Sequence, residues 1–468
     1  MKMEKSKKQS KISKSKEVQP KLIQNAPSNK SPEEMKKEIA EFLAKQKIPK
    51  LAIFSEAPFI KSSSGILGNY FSQGFLSMGI PAIVIANYGV EPGGYLRFGQ
   101  TNVLPVVRTD DDKKGLGTAL QHFAKFQLDI FFYIDKDFIA GSNIATKIPN
   151  TWVLARLDST QYPQEAIDAL KKYKVVIAPT KFAEKELNKY GIKNEYIPIG
   201  VNTKIFQQTP KIESRKYFMV PKDHFCIGLV GDNKDKEPSN GWDSMFEAIQ
   251  ILFKICPQAR SNTTVLVHTN RKDKDGIDLE KLTKGFGIDA NCVCQDSHLM
   301  LIGVPEGAMS RMYSSMDVLL HLSRRCGSGM TILEAGACGV PSIVTDYGVQ
   351  KERVNDGKCG WLIPVVHTIP NEDKTLSGIP DARKAGEALA EAYLDKKKRN
   401  DFSKKAKAYA LNFSWEVILE QKWLPFLMKK GEEILKDKPT IKEIGKEETV
   451  EVKSDAVQKS PDSKSTKE

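Results

Sequence analysis

The segment SRRCGSGMTILEAGACGVPSIVTDYG, residues 323–348, sets two arginines, a thiol and two glycines directly before a short helix-like run. Gly327 and Gly329 let the chain pass close to a ligand, and the amides of Gly329, Met330 and Thr331 then face outward at a helix start. Unpaired amides at the positive end of a helix suit an anion such as a diphosphate. Glu334 follows one turn later, where a carboxylate can bridge two neighbouring ribose hydroxyls; a glutamate that merely complements the helix dipole explains it equally well. Arg324 and Arg325 suit a diphosphate or an anionic sugar held bidentately, or simply solvent. A second cradle follows LAIFSEA in APFIKSSSGILGNYF, where Gly65, Gly68 and Asn69 open another helix; there they serve a sugar or acceptor loop, or only the turn.

Groups of this kind need a scaffold that delivers loops to one edge. From residue 50 onward the chain alternates short apolar, β-branched runs (LAIFSEA, PAIVIAN, DIFFYID, TWVLARLD, KVVIAPT, EYIPIG) with amphipathic stretches. A second series runs FCIGLVGD, TTVLVHT, MDVLLHLS, PSIVTD and GWLIPV. Strand and helix in alternation predict an α/β chain with two Rossmann-like domains of parallel sheet facing across a cleft. Ligands then belong beyond the carboxyl ends of the strands. The expected division is a Lys/Ser-rich disordered tail and leading helix over 1–47, a first domain over 48–215, a second over 216–410, a helix over 411–436 packing back on the first domain, and a disordered tail over 437–468. Trp242, Met245, Phe246, Ile249 and Phe253 at helical spacing form a core face, and Pro425 should interrupt the last helix.

Charge and cysteine usage narrow the class. Of the net charge of +13, residues 1–30 supply +7 (nine lysines against two glutamates), so the basic excess is mostly tail. Specific nucleic-acid binding is therefore not expected; the tail is read first as a solvated tail, and otherwise as a weak contact with an anionic membrane surface or polyanion. No apolar run reaches the length of a membrane span or a secretion signal, which predicts a cytosolic protein, at most peripheral to a membrane. The seven cysteines include a C-x-C at 292 and 294 with no partner pair at zinc spacing, so free thiols and no metal are expected.

MTILEAGACGVPSIVTDYG, followed by NDGKCGWLIP, resembles the donor-site signature of the retaining glycosyltransferases of the GT-B fold, family 4. VPEGAMSRMYSSMDVLLHLS and VVIAPTKFAEKELNKYGIKNEYIPIGVNTKIF are similar to flanking segments of that family, and the likeness runs over residues 50–430. It implies transfer of a sugar from a nucleotide-sugar co-substrate to an acceptor glycan, lipid or protein, with no cofactor or metal. The nucleotide would lie on the second domain and the acceptor on the first, with cleft closure assembling the site. In that family two glutamates eight positions apart hold the donor. Glu334 matches the second, on the ribose; the first position, on the sugar, is Cys326. A neutral thiol cannot stabilise positive charge at an anomeric carbon as a carboxylate can.

Two further departures stand out. Where the family places an arginine and a lysine after a glycine to neutralise the leaving diphosphate, Gly231 is followed by Asp232 and Asn233, and Asn240 takes the lysine position; Lys234 and Lys236 lie in the same loop. On the acceptor side ARLDSTQYP offers Asp158, with Arg156 beside it, where relatives have His or Asp; capping a helix near Pro163 is the other use for Asp158. Ile199 and Asn202 stand where relatives have His and Asp. The expected activity is a hexosyltransferase working by front-face transfer, with Asp158, Glu334 and Cys326 at the reacting groups. The other reading is an impaired relative that binds a nucleotide-sugar or glycan as a partner protein. A dehydrogenase is disfavoured, since no G-x-G-x-x-G follows a strand.

Overall fold

The computed structural model describes residues 49–234, 239–294 and 303–436. The expectations for 1–47, 437–468 and Lys236 fall outside the described residues.

The first series of apolar runs forms one sheet from β1 (Leu51–Ser55), β2 (Ala82–Ala86), β3 (Leu96–Phe98), β4 (Thr101–Pro105), β5 (Ile130–Tyr133), β6 (Thr151–Leu154), β7 (Val175–Ala178) and β8 (Glu195–Tyr196), ordered β3-β4-β2-β1-β5-β6-β7-β8. Every residue of β1, β2, β5, β6 and β7 is buried, as parallel strands covered on both faces must be. Ile53 pairs with Val84 on one side and Phe132 on the other. The sequence reading missed β4 and β3; the latter is a three-residue antiparallel edge strand too short to announce itself.

The second sheet contains β9 (Phe225–Val230), β10 (Thr263–His268), β11 (Cys292–Cys294), β12 (Val318–His321), β13 (Ser342–Thr345) and β14 (Gly360–Ile363), ordered β11-β10-β9-β12-β13-β14. Ile227 lies between Val265 and Val318. The strand order reverses at β1 in one sheet and at β9 in the other, so loops after β1, β2, β5, β9, β10 and β12 surround the two switch points. An unexpected antiparallel hairpin, β15 (Val365–Pro370) and β16 (Leu376–Pro380), follows β14. Leu376 in it bridges Thr160 of the first domain.

The connection between the sheets carries the helix Lys211–Tyr217. Its Arg215 donates to the Asp317 carboxylate at 2.6 Å and to the Ser315 carbonyl, so this helix packs on the second domain ahead of the boundary placed at 216. Helices Trp415–Ile418 and Leu424–Lys436 return across the first domain, joined by a π-helical turn at Leu419–Trp423. Pro425 lacks an N–H and its ring crowds the carbonyl four residues earlier, which explains the widened turn before it. Trp423 is fully buried, with its ring centroid 5.2 Å from Phe71, 5.4 Å from Phe75 and 5.5 Å from Phe132, while Trp415 stacks on Tyr70. Trp423→Ala is expected to cost about 3–5 kcal/mol in urea unfolding, because the strap cannot collapse into the space of an indole. No helix among the described residues is long and apolar enough to cross a membrane.

Candidate active site

The loop between β12 and the helix Met330–Ala337 is shaped by its own backbone needs. Gly329 adopts φ +63°, and a Cβ there would lie 2.6 Å from the Arg353 Cγ, so only glycine fits. Arg353 braces the loop from beneath: its Nε donates to the Ser328 carbonyl at 2.9 Å, its guanidinium lies over Phe413, and its Nη2 is buried without a partner. Ser323 Oγ ties the loop to the carbonyl of Ser239 at 3.1 Å and to that of Arg325 at 2.6 Å. The Met330–Ala337 helix begins directly after this cradle.

Cys326 is half-buried, and its sulfur faces the backbone amides of Gly329 and Ser328. Burial pushes its thiol up to about 11, leaving it neutral at physiological pH. Glu334 accepts from the Tyr313 hydroxyl at 2.8 Å. Burial pushes its carboxyl up to about 7; the Tyr313 hydroxyl works against this and Glu306 adds to it. Glu306 in turn accepts from the Tyr70 hydroxyl at 2.6 Å, which joins the two domains.

The arginines are engaged. Arg324 pairs with Asp243 in the first turn of the helix Trp242–Ile255, so the expectation that it faces a phosphate or sugar is not met: a carboxylate of its own domain holds it. Arg325 donates from Nε and Nη2 to Asp158 at 3.1 and 3.0 Å, and from Nη2 to Asp373 at 2.8 Å. Burial works to lower the Arg325 pKa, and the Asp158 and Asp373 carboxylates more than reverse that. Asp158 does not cap a helix: the next one, Gln164–Lys171, has Pro163 at its N-cap and no side-chain cap. Asp158 also accepts from the Ser159 hydroxyl at 2.9 Å.

The loop after β9 closes on itself. Asn240 and Trp242 both donate to the Asp232 carbonyl, at 2.8 and 2.9 Å, and Asn233 is stitched to Asn270 and Ile277. Gly231 lies against the Asn240 side chain, and Lys234 is exposed.

On the first domain, the Gly65 and Gly68 faces meet protein rather than open space. A Cβ on Gly65 would lie 2.4 Å from the Ile60 carbonyl oxygen, and one on Gly68 2.3 Å from Ser55 Oγ; the Gly65 amide is taken by Ser62 Oγ at 3.0 Å. These glycines seat the helix Ser63–Ser77 against β1, which corrects their reading as a ligand cradle. Asn69 is half-buried, with an Oδ1 that has no partner. Ile199 is fully buried, and Asn202 bonds the Lys204 amide.

The sequence reading noted Arg156 beside Asp158 but missed the polar cluster it joins at the first switch point. Arg156 donates to Ser63 Oγ at 3.0 Å, Ser64 Oγ at 2.9 Å and the Ile134 carbonyl at 3.0 Å. Asp135 accepts from Asn87 at 2.8 Å and Lys114 at 2.9 Å, and Asn87 is buried with its Oδ1 unpartnered. Each of Asn87, Asp135 and Arg156 stands just past the end of a strand, the one signal that could have picked them out. Among the described residues no three His, Cys, Asp or Glu side chains gather as metal ligands.

Two Rossmann-like sheets with their switch points facing each other are also the fold of solved structures similar to this one. Residues 288–409 match the family described as Glycosyl transferases group 1. That segment of the second domain is similar to the group 1 glycosyltransferases. D-inositol 3-phosphate glycosyltransferase from Paenarthrobacter aurescens (strain TC1) is 26% identical over 238 residues, 50% of this chain and 52% of the relative. The same enzyme from Acidothermus cellulolyticus is 24% identical over 224 residues, 48% of this chain and 45% of the relative. The chain thus spans about half the length of the curated relatives it matches. Among solved structures, sucrose-phosphate synthase from Thermosynechococcus elongatus superposes with a TM-score of 0.66 at 15% identity, covering 82% of this chain and 99% of the other. Anabaena HepE in complex with UDP and glucose gives 0.62 at 14% identity, covering 82% of this chain and 100% of the other. These likenesses make the fold GT-B.

Glu334, Gly329 and the Met330–Ala337 helix start stand together behind the cradle, while Asp158, Arg325 and Cys326 meet at the seam between the domains. Tyr313, Tyr70, Glu306 and Asp373 complete the seam without having been singled out in the sequence. Tyr313→Phe removes the hydroxyl that holds Glu334. It is expected to raise the Glu334 pKa further, read by carboxyl-selective infrared or NMR titration as a shift to higher pH.

Proposed function

We propose that this chain transfers a sugar from a nucleotide-sugar to an acceptor hydroxyl, with retention of configuration and without a metal. The observation that carries the reading is the cradle at residues 329–331 with Glu334 one turn behind it, set across the cleft from Asp158 and the Arg156, Asp135 and Asn87 cluster. The amides of Met330 and Thr331 would hold the diphosphate, with the Gly329 amide turned to Cys326, the ionised Glu334 the ribose hydroxyls, and Lys234 part of the leaving charge. The departing phosphate would take the acceptor proton on the front face, with Asp158 orienting the acceptor. Asn87 and Asp135 offer acceptor atoms, and Arg156 and Lys114 donor atoms, to a hydroxyl-rich acceptor.

A second reading has its own observation. Cys326 presents a neutral thiol where the family resemblance puts a carboxylate, and Arg324 is neutralised by Asp243. A chain so altered would bind a nucleotide-sugar without turning it over, acting as a partner protein. Calorimetry against a panel of nucleotide-sugars, with release of free nucleotide followed over hours, tests both readings. Binding with release supports the transferase, and binding without release the partner protein. Failure of every donor to bind would overturn both.

A further inference from the structure

The donor loop and the first domain touch where the transferase reading puts the sugar. A Cβ placed on Gly327 would lie 2.8 Å from the Arg156 carbonyl oxygen and 3.4 Å from the Asp158 Cβ. One on Gly348 would lie 3.4 Å from the Cys326 carbonyl oxygen and 3.7 Å from that of Asp158. A seam this tight does not admit a pyranose ring. Three elements converge on one guanidinium to hold it: Arg325 from the donor loop, Asp158 from the end of β6 and Asp373 from the turn of the β15–β16 hairpin. The hairpin is itself fastened to the first domain. Thr160 and Leu376 exchange both backbone bonds, at 3.3 and 2.9 Å, and the Tyr347 hydroxyl lies 3.1 Å from Thr160 Oγ1.

We propose that Asp158, Arg325 and Asp373 form a latch that holds the cleft shut, and that a nucleotide-sugar reaches the sugar subsite only after Arg325 releases Asp158 and the hairpin lifts from Thr160. What enters rests on the transferase reading; the latch does not. An ion pair as exposed as this one holds weakly alone. Here the contact is bidentate, a second carboxylate shares the guanidinium, and a two-bond ladder lies beside it, so the parts close together. Opening also frees Asp158 for the acceptor role it has in the transferase reading, and leaves the Arg325 guanidinium free to meet the negative charge of the donor. The closed seam thereby couples donor entry to exposure of the acceptor-side carboxylate, and in the shut state it keeps water from the reacting position.

Hydrogen exchange on the full chain, with no donor added, reads the latch directly, because the Thr160 and Leu376 amides are protected only across the seam. Arg325→Ala is expected to speed exchange of both amides at least 10-fold, with amides inside β1 and β9 unchanged. Asp373→Asn, at the half-exposed hairpin turn where misfolding is not at issue, should speed them severalfold. Unchanged protection of Thr160 and Leu376 in both variants would overturn the latch, whatever any donor does. Stopped-flow association of UDP-glucose then separates the two ideas. If it binds, faster association in Asp373→Asn supports the latch and equal rates in variant and parent count against it. If neither UDP-glucose nor any other nucleotide-sugar binds, the transferase reading falls and the latch is judged on exchange alone.

Discussion

Glu334→Gln is expected to bind a nucleotide-sugar about 10- to 100-fold more weakly than the parent at pH 8, and yet to resist urea better. The loss follows from chemistry: an ionised carboxylate accepts two ribose hydroxyls at once, and a hydrogen bond to a charged group is worth about 1.5–3 kcal/mol. The gain in stability follows from the same burial. The Glu334 carboxyl is pushed up to about 7 in the folded protein, against roughly 4.3 in an unfolded chain. A group whose folded pKa is raised favours the fold below its unfolded pKa, and that contribution is lost as pH rises through the folded value. Parent and variant should therefore unfold alike near pH 4, diverge between about pH 4 and pH 7, and differ by a constant amount above, on the order of 1–3 kcal/mol. Donor affinity in the parent should climb over the upper part of the same window, as the carboxylate forms, and stay flat in the glutamine variant. Urea titrations at pH 4, 6 and 8 and calorimetry at the same values measure both; a stability difference that ignores pH would show that Glu334 is not the burdened group.

This conflict between binding and stability bears on what the sequence could reveal. The two parallel sheets were legible because strands covered on both faces must be continuous apolar runs, and eleven such runs appear where strands later stand. The glycine-led helix start was legible because Gly329 stands directly before the Met330–Ala337 run that carries Glu334. The seam was not. Arg325 and Asp158 are separated by 167 residues, and nothing local in either segment announces the other. The hairpin escaped notice because Val365–Pro370 carries a largely exposed face and a proline, so it shows neither the apolar run of a buried strand nor a clean alternation. Gly65 and Gly68 misled for a different reason. A glycine records that something comes close to its Cα, but the sequence does not say whether that neighbour is a ligand or, as with Ile60 and Ser55 here, the protein itself.

The same limit makes Cys326 the most informative position in the chain, and Cys326→Glu is expected to raise turnover of a bound nucleotide-sugar by about 10²–10³-fold. The site already favours a carboxylate: the Ser328 and Gly329 amides face the sulfur, and the buried Arg353 lies beneath the same loop. The parent thiol, pushed up to about 11 by burial, offers no charge to this environment. A glutamate there would accept the two amides and oppose positive charge growing at the anomeric carbon, a stabilisation felt chiefly in the transition state. The rise should therefore appear in kcat with KM little changed. A change confined to KM would place residue 326 on the ground-state sugar instead. No change in either, in a parent that already turns over, would mean that the carboxylate function comes from across the seam, from the Asp158 that Arg325 releases. In that case Asp158→Asn should abolish turnover in parent and Cys326→Glu alike, whereas a glutamate acting at 326 should leave the double variant measurably active.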